Sequence, residues 1–126
     1  MSKLLVFCLD ALCSYDLDLM KQMPNFGPFI NEGSYVETMH PGTPALTYSA
    51  HTSIITGCYV DQHKIIHNED FKRGTLEPLP WFCMKDQVKV PTLLDVAEAN
   101  GLKTCSISWP VTGSANYDLL FPMIVP

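Results

Sequence analysis

Six consecutive apolar residues near the amino terminus, Leu4-Leu5-Val6-Phe7-Cys8-Leu9, are closed by Asp10. A run of that length with no polar alternation predicts a strand over 3–9 covered on both faces, as in the parallel sheets of α/β proteins. Such a strand commits the chain to a layered fold, because each face of its sheet needs a covering layer. Asp10 then falls at the strand's carboxyl end, where open α/β sheets bind their ligands. There it is either a metal or substrate ligand or a helix cap for the segment that follows.

The rest of the chain alternates between the two periodicities. Residues 24–33 predict a short helix, with Asn25 as cap, Pro28 in the tolerant first turn, Phe26, Phe29 and Ile30 on one face, and Gly33 as a left-handed stop. A second strand is expected over 34–39, and Pro41-Gly42-Thr43-Pro44 then forces an irregular loop. From Thr47 to Thr56 nothing breaks a helix, Gly57 suits its end, and Thr47 falls at or near its N-cap. Residues 57–90 read as a long loop with room for one short strand. Residues 91–101 form the clearest helix, with Thr92 and Asp95 at capping-box spacing and Gly101 as stop, and 102–109 follow as a strand. This order implies βαβ units and an α/β fold with a mainly parallel, layered sheet.

Composition narrows the class. At 126 residues and 47% apolar content the chain is globular and short enough for one domain, while a net charge of −5 argues against tracking a nucleic-acid backbone. Five cysteines without C-x-x-C spacing support neither a disulfide framework nor a zinc knuckle. The first apolar run is shorter than a signal-peptide core and no run approaches a membrane span, so a soluble cytoplasmic protein with no membrane partner is expected. The apolar segment 117–126 stops with no helix after it, which reads as a chain cut inside a domain.

A threonine hydroxyl at a helix start is most simply an N-cap. It becomes a nucleophile only with a base or a cation to acidify it, and a helix N-terminus favours both the alkoxide and an attacked phosphate. His51, one turn after Thr47, either assists a phosphate oxygen or packs beneath the loop. His63 and His67 sit in a loop where metal ligation is the less expected role. Trp81 and Phe82 either stack on a substrate or bury against the sheet.

Taken in order, the Asp10 strand end, Pro24-Asn25-Phe26 through Glu32-Gly33, Pro44-x-x-Thr47, Thr56-Gly57-Cys58-Tyr59 with His63, Pro91-Thr92-Leu93-Leu94 and Ser108-Trp109-Pro110 resemble the amino-terminal part of the type I phosphodiesterase/nucleotide pyrophosphatase family of the alkaline phosphatase superfamily. The resemblance implies that residues 1–126 are the amino-terminal part of one alkaline phosphatase-like catalytic domain, incomplete here. It implies a phosphoryl hydrolase with two divalent metal ions, zinc first and manganese as alternative. Under that resemblance Asp10 binds metal, Thr47 binds metal and attacks phosphorus, and the substrate is a small phosphate ester; His51 is a candidate substrate contact from its helical spacing alone. The family's remaining ligands come from a carboxyl-terminal half, and no histidine follows His67 here, so an inactive fragment of an active enzyme is expected. Two alternatives stand beside it: a non-catalytic interaction module that forms a homo-oligomer through an exposed sheet edge, and an unrelated flavodoxin-like phosphate binder, against which the lack of a Gly-rich loop counts.

Overall fold

A computed structural model describes residues 3–75 and 78–125, in two compact units, Met1–His40 and Pro41–Pro126. Residues 76–77 of the expected long loop and Pro126 of the terminal apolar segment lie outside the described residues.

In the first unit a 3-10 turn, Ser14–Asp16, runs into α1 (Leu17–Met20), and α2 spans Phe26–Glu32. The Asp16 carboxylate accepts the Cys13 backbone N–H at 3.0 Å, which closes the start of the turn. Helix α2 matches the expected segment, but its ends work differently. Asn25 makes no side-chain cap, and Gly33 leaves the helix in extended backbone (φ −89°) rather than the left-handed region. Glycine is needed at 33 for space instead, since a Cβ there would lie 2.5 Å from the Phe29 carbonyl oxygen. The expected strands over 3–9 and 34–39 are absent; both stretches lack regular structure. Parallel pairing requires neighbouring strands and a covered face, and here Leu4 is 74% and Phe7 82% exposed, so the run has neither.

The second unit is built on α3 (Thr47–Thr56), which ends at Gly57 in the left-handed region (φ 67°) as expected. The short α4 (Val60–His63) follows, then a 3-10 turn at Lys85–Gln87, α5 (Leu93–Ala99), and the strands β1 (Cys105–Ile107) and β2 (Leu119–Phe121). The long loop thus holds α4, the 3-10 turn and an isolated antiparallel bridge between Glu69 and Trp81. Helix α5 begins with the expected box: Thr92 N–H donates to Asp95 Oδ2 at 2.6 Å, and Asp95 N–H to Thr92 Oγ1 at 3.2 Å.

The only sheet among the described residues is the parallel pair of β1 and β2, in register Cys105↔Leu119 and Ile107↔Phe121. Among the described residues this pair does not extend into a larger layered sheet. Ser106 faces inward and is buried, while Ile107, Leu119 and Phe121 are each about two-thirds exposed or more (71%, 68% and 68%). The core is a cluster of Tyr48, Ile65, Val88 and Val111, flanked by Trp81, Phe82, Val90 and Met123. Burial of these side chains is the main attraction holding α3, the 57–90 segment and the 108–125 segment together.

Candidate active site

Thr47 is the first residue of α3, preceded by Leu46 at the N-cap in extended backbone. The leucine side chain has no oxygen to offer the helix, so the first-turn amides need another acceptor. Asn68 supplies it: its Oδ1 accepts the Tyr48 N–H at 3.0 Å, from twenty residues along the chain. The peptide between Thr47 and Tyr48 is thereby held by a side chain from the 64–70 loop, and that loop is itself pinned by Phe82 N–H to the Asn68 carbonyl at 2.9 Å and Asp70 N–H to the Pro80 carbonyl at 2.7 Å.

His51 lies one turn further on. Its Nδ1 is 2.7 Å from the Thr47 carbonyl oxygen, so Nδ1 carries the proton and donates, and the ring stands edge-on to Trp109 with centroids 5.2 Å apart. The structure thus brings Thr47, His51, Asn68 and Trp109 to one end of α3. Sequence reasoning singled out the first two as site residues and Trp109 only as part of the Ser108-Trp109-Pro110 motif, and did not single out Asn68. A single polar residue in a loop carries no periodic signal that would pair it with a helix twenty positions earlier.

Asp10 belongs to the other unit, in an exposed turn after the irregular 3–9 run. His63 is fully buried, with Nε2 3.0 Å from Ser53 Oγ and Nδ1 accepting the Ile65 N–H at 3.1 Å. Both ring nitrogens are therefore engaged by protein, and neither is available to a cation. His67 is exposed, and its Nδ1 accepts the Glu69 N–H at 3.2 Å. Among the described residues no three His, Cys, Asp or Glu side chains come together as a metal site. The donors among the described residues do not complete a metal centre by themselves. Trp81 and Phe82 are half-buried and pack against the core, with Trp81 edge-on to Tyr48 at 5.2 Å. A cleft of about 430 Å³ opens beside the loop, lined by Lys64, His67, Phe71, Phe82 and neighbours. Neither Thr47 nor His51 lines it, so cleft and candidate chemistry are separate.

Comparison with known proteins agrees with the order of motifs. Residues 4–122 match the family model for type I phosphodiesterase / nucleotide pyrophosphatase. The chain is 28% identical over 115 residues to ectonucleotide pyrophosphatase/phosphodiesterase family member 7 of Mus musculus, and 28% over 115 residues to that of Rattus norvegicus. Identity to the Homo sapiens protein is 26% over 116 residues. Each alignment covers 86% of this chain but only 25–26% of the relative, so the chain spans about a quarter of the length of these relatives. With its family signature running through nearly the whole sequence, this chain belongs to the type I phosphodiesterase/nucleotide pyrophosphatase family.

Proposed function

We propose that the complete protein is a phosphoryl hydrolase acting on small phosphate esters, with Thr47 as its nucleophile, and that this chain carries the nucleophile end of the site. The observation that supports it best is the Asn68 amide seated on the peptide that follows Thr47. Because Oδ1 is committed to the Tyr48 N–H, the amide nitrogen of the same group is held beside the first turn of α3, where it can donate to a phosphate oxygen. The positive end of the helix adds to the attraction for that anion.

In this reading Thr47 Oγ1 forms the bond to phosphorus as the ester oxygen leaves with a proton, and water then cleaves the phosphothreonine. His51, tied to the Thr47 carbonyl, orients the turn and is the proposed substrate contact. Asp10 and Thr47 are the metal ligands proposed from this chain, for two divalent ions, zinc or else manganese, whose other ligands are proposed to come from a further part of the protein. Such ions, when bound, acidify the hydroxyl and neutralise phosphate charge. On its own this chain is expected to turn over nothing. A cytoplasmic setting belongs to the same proposal, supported by the free thiols of Cys8, Cys13, Cys58, Cys83 and Cys105. Among the described residues no helix is long and apolar enough to cross a membrane.

The test is Thr47→Ala in the protein made from the full reading frame, assayed on a nitrophenyl phosphodiester and its monoester. Turnover is expected to vanish while the thermal midpoint stays within a few degrees. A Thr47→Ala protein of full activity sinks the nucleophile assignment.

A second reading, an interaction module, is favoured by the exposed outer face of Ile107, Leu119 and Phe121. It predicts that this chain sediments as an oligomer and that Phe121→Ser makes it monomeric.

A further inference from the structure

The residues between His63 and Asn68 are fastened to α3 at both ends. His63 reaches Ser53, near the carboxyl end of the helix, and Asn68 reaches Tyr48, at its amino end. The segment therefore runs antiparallel to α3, with Ile65 fully buried between the two pins in the same core cluster as Tyr48. His63 is anchored from its other side as well, since its carbonyl accepts the Lys89 N–H at 3.2 Å.

We propose that His63 is a positioning residue, the rear pin of a strap that holds the Asn68 amide, and through it the Thr47 turn, in register with α3. The catalytic consequence rests on the reading of Thr47 and Asn68 given above; the strap itself rests on the hydrogen bonds alone.

The chemistry of the pin follows from its partners. The Ile65 N–H is a donor, so Nδ1 presents a lone pair, and Nε2 must then carry the proton and donate to Ser53 Oγ. The imidazole is thus neutral and in one tautomer. Burial presses its pKa below the ordinary histidine value, with Asp61 opposing only in part, which favours that neutral form. A histidine suits the position because its two nitrogens, at fixed separation, act as acceptor and donor at once. Asparagine reproduces only the inner, Nδ1-side group and glutamine only the outer, Nε2-side group.

The test combines two measurements. In this chain, long-range nitrogen–proton spectra of the imidazole are expected to show protonated Nε2 and bare Nδ1. Ser53→Ala, which removes one hydroxyl and little packing, is expected to speed amide exchange at Tyr48 about fivefold, the scale set by one lost hydrogen bond. In the full-frame protein the same substitution is expected to lower kcat about fivefold with KM nearly unchanged, because a transition-state contact is loosened rather than a binding one. His63→Gln, which keeps the bond to Ser53, is expected to recover more kcat than His63→Asn. Unchanged Tyr48 exchange in Ser53→Ala overturns the strap, as does a doubly protonated or Nδ1-protonated ring at neutral pH. If Tyr48 exchange responds but kcat does not, or glutamine rescues no better than asparagine, the pin is structural and the positioning role is overturned. Turnover in Thr47→Ala removes the nucleophile reading instead, and the exchange data still decide the strap.

Discussion

Replacing Asn68 separates what holds the fold from what does the chemistry. Asn68→Ala removes the acceptor of the Tyr48 N–H, and Leu46 offers no substitute at the N-cap. Loss of an N-cap acceptor costs about 1 kcal/mol, and since Asn68 is half-buried and water replaces it incompletely, about 1–2 kcal/mol is expected. For a unit the size of 41–126 that lowers the thermal midpoint by roughly 4–12 °C, readable by circular dichroism on this chain. Asn68→Asp keeps an oxygen at the same place and puts negative charge at a helix N-terminus, which contributes about 0.3–1 kcal/mol in its favour. Its midpoint is expected to match or exceed the parent. Activity of the full-frame protein is expected to fall with both substitutions, by about 100-fold, since each removes the N–H proposed above to donate to the phosphate and aspartate adds repulsion. The reasoning is refuted if Asn68→Asp melts as early as Asn68→Ala, because the cap is then not an acceptor effect. It is equally refuted if Asn68→Asp turns over at the parental rate.

Other perturbations test the surrounding scaffold. Lys64 sits in the left-handed region at φ 68°, so Lys64→Gly is expected to raise the unfolding free energy by about 0.5–1 kcal/mol in urea melts. Gly113→Ala brings a Cβ to 2.7 Å from the Cys83 carbonyl oxygen and 3.0 Å from Met84 Sδ, and should cost about 1–3 kcal/mol by the same assay because the Cys83–Gly113 hydrogen bond resists a shift. Burial opposes the Asp95 carboxylate, yet the Thr92 N–H and hydroxyl and the Lys85 ammonium at 3.0 Å outweigh it and hold its pKa below the ordinary value. Its folded pKa being the lower one, that stabilisation is present above about pH 4 and is lost as pH falls through the folded pKa, so Asp95→Asn should weaken the fold at pH 7 and flatten the acid limb of a stability–pH curve.

What was legible in the sequence was what depends on neighbours a few residues away. Helix α3 and its glycine stop, and helix α5 with its Thr92–Asp95 box, lie where propensity and capping place them. The short helices α1 and α4 carry too few turns to show a periodicity, and β2 emerged only because Leu119 pairs with Cys105, which no local pattern announces. The strand expected over 3–9 failed for the converse reason: an apolar run favours a buried strand only where partners and cover exist. The same division holds in the site. Thr47 and His51 are four apart on one helix and could be read together, whereas Asn68 and His63 meet α3 only through the path of the loop.

That path makes length matter more than composition. Between the pins at His63 and Asn68, one inserted residue would carry the Asn68 amide about 3.3 Å along the chain, further than a hydrogen bond can stretch. The exposed stretch from Phe71 to Thr75, beyond the second pin, faces no such limit, so chain length can drift there at little cost to the helix start. Gaps in an alignment of related sequences are therefore expected to cluster after position 70 and to avoid 64–67.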